Sequence, residues 1–272
     1  MAVTMAEISK LRTMTGAGMM DCKNALTEAN GDMERAIELI RKRGQAIAAK
    51  RSDREASEGC VLAGVKGNFG AIVALKCETD FVAKNADFIA LTQQILDAAL
   101  ANQPANPEAL LTLNADGRTI AELVTDRSGI TGEKMEIGFY ETVTDSSVVE
   151  YIHPGNKLAT IVAFAEANVN RQVGRDIAMQ VAAMNPIALD KDSVPERIVA
   201  QELEIGRDKA RQEGKPENML DKIAQGRLNK FFQESTLLAQ EFIKDGSKTV
   251  AAYAKENLVT PTAFKRVTLN QE

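Results

Sequence analysis

Tryptophan is absent from the 272 residues, and three tyrosines, nine phenylalanines and one histidine supply all the other aromatic side chains. Such a chain has little with which to stack bases, clamp sugars or shuttle protons near neutral pH. The histidine, His153, stands directly before Pro154-Gly155, and one imidazole assembles neither a catalytic triad nor a histidine metal cluster. Cysteine is scarce as well. Cys22, Cys60 and Cys77 are odd in number, far apart and without a C-x-x-C pair, which excludes a disulfide framework and a zinc site and suits a reducing cytosol.

Long apolar runs are missing too: the longest, such as Leu158 to Ala165, fall far short of the ~18 residues that read as a membrane span. Met1 to Glu7 has neither a basic nor an apolar signal region, so the expectation is a cytoplasmic protein without a membrane partner. Net charge is -5, which argues against a chain that wraps phosphate backbones. No G-x-x-x-x-G-K-[ST] occurs, Gly16-Ala17-Gly18 follows a helical pattern rather than a strand, and no D-x-D-x-D-G spacing exists, so nucleotide binding and metal hydrolysis are unsupported.

What the chain has is 44% hydrophobic residues, enough to fill a core, arranged in alternating helical and strand patterns. Thr4-Met5-Ala6-Glu7 has the form of a capping box and starts a short helix that Thr15 to Gly18 breaks. A second helix spans about Met19 to Ala29. Asp32 caps a third, with Met33, Ala36, Ile37 and Ile40 at helical spacing and Gly44 as its stop. From Arg41 to Arg54, six cations face one anion, Asp53, which reads as a solvated helix or linker; with no aromatic residue inside it, RNA contact is the weaker reading.

Gly59 to Val65 and Gly70 to Cys77 read as a β-hairpin around Gly67-Asn68, followed by a helix from Thr79 and Asp80 to about Leu100, and Pro104 and Pro107 end the unit. Strands return at Met135 to Val143, Val148 to His153 and Lys157 to Ala165, before a helix from Arg171 to Met184. Sliding the chain by 89 residues lays Ala71 to Leu75 on Thr160 to Phe164, so the core reads as two related α+β subdomains. The copies differ where strand meets helix: Thr79-Asp80-Phe81-Val82 in one, Asn168-Val169-Asn170-Arg171 in the other. Phe81, in the first turn of its helix, is either a packed staple or an exposed wedge, and spacing favours the staple. Met19-Met20 opens the second helix, where partner contact and core packing weigh equally.

Pro195 to Leu228 carries seven cations and seven anions with a Gly214-Lys215-Pro216 break, the pattern of two antiparallel helices sharing a narrow seam of Ile198, Ile205, Leu220, Ile223 and Leu228. The remaining segment, rich in Phe232, Leu237, Leu238, Phe242 and Ile243, has apolar surface to dock on the body.

Leu11-Arg12-x-x-Thr15-Gly16-Ala17-Gly18-Met19-Met20-Asp21-Cys22-Lys23-Asn24-Ala25-Leu26 and Thr79-Asp80-Phe81-Val82-Ala83-Lys84-Asn85 closely resemble the two signatures of the bacterial translation elongation factor Ts family. The resemblance extends to Gly214-Lys215-Pro216, Gly226-Arg227-Leu228 and Phe242-Ile243-Lys244-Asp245, and so covers essentially the whole chain. It implies an α+β architecture: a ubiquitin-associated-like three-helix domain with its basic linker (1–55), core subdomains at 56–140 and 141–194, a protruding coiled-coil hairpin (195–228) and a C-terminal helical module (229–272). It also implies guanine-nucleotide exchange on the GTPase elongation factor Tu, as a heterodimer or a two-to-two complex, without bond chemistry or a cofactor of its own. Met19 and Met20 would grip the GTPase domain, and Thr79, Asp80, Phe81 and Val82 would disturb the magnesium site of the partner's bound GDP. The competing reading of the residues is a protein-binding adaptor or chaperone-like module acting through the N-terminal helices.

Overall fold

The computed structural model describes residues 3–270 and is an α+β protein of two compact units, one of residues 3–62, 73–140 and 269–270, the other of 63–72 and 141–268. Met1-Ala2 and Gln271-Glu272, at the ends of the first and last expected segments, lie outside the described residues.

The first unit opens with α1 (Met5–Thr15), where Thr4 Oγ1 accepts from Glu7 N at 3.3 Å and Glu7 returns the bond by accepting from Thr4 N at 2.8 Å. Gly16 ends it at φ +71, the left-handed conformation that glycine adopts without a Cβ clash. Helices α2 (Met19–Glu28) and α3 (Met33–Lys50) complete a small core of Ile8, Leu11, Cys22, Ala25, Leu26 and Ala36.

Helix α3 does not stop at Gly44; it runs on for six more residues, and Gly44 is buried within it. The reason is tertiary. Strands β1 (Glu58–Lys66) and β2 (Phe69–Cys77), helices α4 (Asp80–Ala83), α5 (Ala86–Asn102) and α6 (Pro107–Thr112), and the short strands β3 (Asn114–Ala115) and β4 (Arg118–Thr119) lead to α7 (Ile120–Thr131). There Gly129 meets Gly44 backbone to backbone: a Cβ on Gly129 would lie 2.1 Å from Gly44 Cα. The missing side chain that disfavours a helix interior locally is what lets the two helices touch.

The helix expected from Thr79 to Leu100 is two helices, because Asn85 Oδ1 accepts from Asp87 N at 2.8 Å and caps α5 anew. Pro107 begins α6 rather than ending a unit, at the first helical turn where its missing N–H costs nothing, behind the Asn106 cap.

Strand β5 (Glu136–Thr144) joins β1 and β2 in the order β1-β2-β5. In the second unit, β6 (Ser147–Ile152) and β7 (Leu158–Phe164) pair antiparallel before α8 (Arg171–Met184), repeating the hairpin-then-helix order of β1, β2 and α5. Helices α9 (Glu196–Gln212) and α10 (Leu220–Ser235) pack along each other. Their seam is made of small residues more than of isoleucines: Gly206, Ala210 and Ala224 are buried with Leu220 and Leu228, while Ile198, Ile205 and Ile223 are only partly covered. Arg207–Asp221 at 2.7 Å and Arg227–Glu213 at 2.6 Å bridge the two helices at the rim.

The C-terminal segment corrects the expectation of a helical module. After β8 (Glu241–Phe242) and β9 (Asp245–Thr249) it has one short helix, α11 (Val250–Glu256), and then β10 (Pro261–Thr268) pairs antiparallel with β7 to give the order β10-β7-β6. Strand β7, buried at every position, needs a neighbour on both edges, and the chain end supplies the second.

A polar network ties this segment to α8. The Asp176 carboxylate accepts from Lys244 Nζ at 2.5 Å, Gln172 Nε2 at 2.6 Å and Tyr253 Oη at 3.0 Å, and Tyr253 stacks on Phe242 with ring centroids 4.1 Å apart. Burial pushes the Asp176 carboxyl up, but the bonds from Lys244, Gln172 and Tyr253 together hold it below the usual 3.8. A depressed folded pKa contributes stability above the unfolded value and loses it as the pH falls through the folded one. Resistance of the wild type to urea is therefore expected to hold from pH 7 to about pH 5 and to weaken as the pH falls through 3.8 and below, and Asp176→Asn to be weaker at pH 7 yet less sensitive to acid. Midpoints that fall in parallel in both proteins would contradict this.

Candidate functional site

The junction between β2 and α5 is where the two halves of the duplicated pattern part company. In the second half Asn170 caps α8 directly, and Val169 packs against the core. In the first half the chain instead makes one turn of helix, α4, with Thr79 as its cap: Thr79 Oγ1 accepts from Val82 N at 3.4 Å. Phe81 projects from that turn with 84% of its surface exposed. The staple favoured by spacing is thus not what forms.

Asp80 does not serve as the cap. Its carboxylate pairs with Lys84 Nζ at 2.6 Å, one helical turn on, and that bond raises the Lys84 pKa. Val82 is half-buried and Ala83 is buried, so the turn lies on the body by one side and offers Phe81 on the other.

The turn is held from outside, chiefly by Glu133, which local patterns did not single out, and by two cations of the basic stretch whose role there they did not show. The Glu133 carboxylate, just beyond α7, accepts from Glu78 N at 3.1 Å, Thr79 N at 3.0 Å and Thr79 Oγ1 at 2.6 Å. Glu78 returns a bond by accepting from Lys134 N at 2.7 Å. Arg51 and Arg54, from the end of α3 and just after it, approach the same Glu78 carboxylate at 3.4 Å and 3.7 Å. No local pattern joins Glu133 to Thr79, 54 positions apart; only the fold brings that carboxylate to the junction.

Met19 and Met20 open α2 behind the Gly18 cap, 42% and 64% exposed, while Cys22, Ala25 and Leu26 provide that helix's core face. They and the Thr79–Val82 turn belong to the same unit. The Arg41 to Arg54 cations are largely engaged: Arg41 lies 4.0 Å from Asp126, Lys42 2.9 Å from Glu38 and Arg43 2.5 Å from Glu28, besides the two on Glu78. Paired guanidinium groups have less to offer a phosphate backbone.

Among the described residues no group of three or more His, Cys, Asp or Glu is placed to hold a metal ion, and no helix is long and apolar enough to cross a membrane. Burial pushes the Cys60 thiol up to about 11, which keeps it protonated at neutral pH. His153 is engaged by Tyr151 Oη at 3.0 Å from Nδ1.

The class so defined is an α+β protein that exposes an apolar ring, Phe81, on a turn braced from several elements. A family model described as Elongation factor TS matches residues 78–271. Elongation factor Ts of Porphyromonas gingivalis is 61% identical over the full length of both chains; that of Azobacteroides pseudotrichonymphae is 54% identical, also over both full lengths, and that of Amoebophilus asiaticus is 56% identical over 98% of this chain and 99% of its own. This chain belongs to the elongation factor Ts family.

Proposed function

We infer that this chain is the guanine-nucleotide exchange factor of elongation factor Tu, promoting release of GDP from that GTPase. Family membership over the whole length carries the activity, and the observation that carries its placement is Phe81, a large apolar ring left 84% exposed on a braced turn. An aromatic side chain costs stability in contact with water and repays it on entering an apolar pocket. The adaptor reading is not favoured, because the relatives match throughout and not only over the N-terminal helices.

The mechanism is a coupling free energy. Factor and nucleotide each weaken the other's hold on the GTPase by the same factor, so GDP leaves the ternary complex quickly and incoming nucleotide later expels the exchange factor. Only an interaction stronger in the deformed state than in the ground state drives this, and insertion of Phe81 beside the magnesium site is such an interaction. Mg²⁺ holds the nucleotide phosphates, so displacing its ligands loosens GDP. The GDP and Mg²⁺ belong to the partner; this chain breaks no bond and needs no cofactor of its own.

In this reading the N-terminal helical domain (1–55) grips the GTPase domain through Met19 and Met20, whose unbranched thioether chains adapt to an irregular surface. Thr79, Asp80, Phe81 and Val82 of the first core subdomain (56–140) act on the magnesium site. The second subdomain (141–194), the helical hairpin (195–228) and the C-terminal module (229–272) complete the factor, which works in the cytoplasm as a heterodimer or a two-to-two complex. Release of a fluorescent GDP analogue from purified elongation factor Tu at fixed magnesium tests the function: the chain is expected to raise the release rate steeply with concentration. An unchanged rate at saturating factor would refute it.

A further inference from the structure

We propose that Glu133 is a positioning residue for exchange, a carboxylate that sets the direction of Phe81 without touching the partner. The proposal rests on the reading of Phe81 given above and deepens it. Helix α4 has four residues, one turn, far below the length at which a helix stands by its own hydrogen bonds. Beyond the packing of Val82 and Ala83, its conformation depends on what holds its first residues.

Glu133 holds them with both oxygens. Oε2 takes the two backbone N–H groups of Glu78 and Thr79, which aims the chain out of β2, and Oε1 takes the Thr79 hydroxyl proton. With that proton committed, the Thr79 oxygen has its lone pairs free for Val82 N, the capping bond that starts the turn carrying Phe81. Ionised acceptors make the stronger hydrogen bonds, and these three converge on one half-buried carboxylate.

Glu133 is itself fixed before it reaches Thr79. Its carbonyl accepts from Ser128 Oγ at 2.5 Å, its N–H donates to Thr131 Oγ1 at 3.3 Å, and the next N–H, of Lys134, donates to Glu78. The C-terminal end of α7 thus forms a rigid bracket, with Glu133 as its contact to the exchange turn. Nothing comparable is needed in the second half of the pattern, where α8 starts directly at its Asn170 cap.

The test is GDP release from elongation factor Tu by full-length Glu133→Ala, Phe81→Ala and the double variant, with the factor titrated to saturation. Glu133→Ala is expected to lower the maximal release rate roughly ten-fold while leaving the half-saturating concentration nearly unchanged, since a mis-aimed Phe81 loses a contact made only in the deformed complex. The double variant is expected to match Phe81→Ala alone, because a ring that is absent cannot be aimed. Glu133→Gln, which keeps one carbonyl oxygen for the backbone N–H groups, is expected to recover part of the rate and serves as the readout if the alanine variant does not fold. Wild-type rates in both Glu133 variants, or full additivity with Phe81→Ala, would overturn the proposal and leave the exchange reading standing. A wild-type rate from Phe81→Ala would instead overturn that reading of the turn, and this proposal with it.

Discussion

Phe81→Ala is expected to remove most of the exchange activity while the protein stays folded. The ring contributes nothing to the core, being 84% exposed, so its loss leaves no cavity and the thermal unfolding midpoint is expected to hold. In the proposed complex the same ring would be buried, and burying a phenylalanine side chain is worth about 1.5–3 kcal/mol. If that gain is realised only when the magnesium site is deformed, it appears almost entirely in the rate, and each 1.36 kcal/mol is a factor of about ten. The expected fall in GDP release is therefore roughly 10- to 150-fold. Altering Val169 and Asn170, the corresponding places in the second half of the pattern, is expected to leave the exchange rate of folded protein far less affected, since Val169 packs against its own core. Equal losses at the two junctions would refute the assignment.

The second large effect is expected at Gly129. Alanine there places a Cβ 2.1 Å from Gly44 Cα, backbone against backbone, so α3 and α7 must part. Overpacking of this kind typically costs about 1–3 kcal/mol, and a side chain that cannot yield puts Gly129→Ala at the upper end. The contact is asymmetric. A Cβ on Gly44 would lie 3.4 Å from Gly129 Cα, close to ordinary contact, and alanine is favoured over glycine inside a helix by about 1 kcal/mol. Gly44→Ala is accordingly expected to be nearly neutral in thermal unfolding and Gly129→Ala strongly destabilising. Similar losses in the two variants would show that the helices do not cross here as described. Because the end of α3 brings Arg51 and Arg54 to Glu78, loosening this crossing is also expected to slow exchange.

The patterns that fill one turn or one hairpin were legible in the residues themselves. The Thr4–Glu7 capping box, the hairpin about Gly67-Asn68 and the helix Arg171–Met184 formed as read, because each depends on groups within a few positions of one another. The family was legible from two contiguous motifs, and the motif that holds Phe81 pointed to its residues though not to its exposure. Spacing treats a first-turn phenylalanine as a staple whenever a core lies within reach; whether one does is decided by the direction of the turn.

The groups bonded around that turn, Glu133, Glu78, Arg51 and Arg54, come from three separate stretches of chain. Gly44 makes the same point: local propensity ends a helix there, whereas contact with Gly129 carries the helix through it. Likewise β10 became a strand because β7 had an open edge, a demand arising about a hundred residues earlier in the chain. Sequence by itself determined the elements whose hydrogen bonds and apolar faces close locally, and with them the family. Tertiary structure decided which glycine is a crossing point and which aromatic ring faces solvent, because those outcomes depend on steric and polar partners that only the folded chain brings within reach.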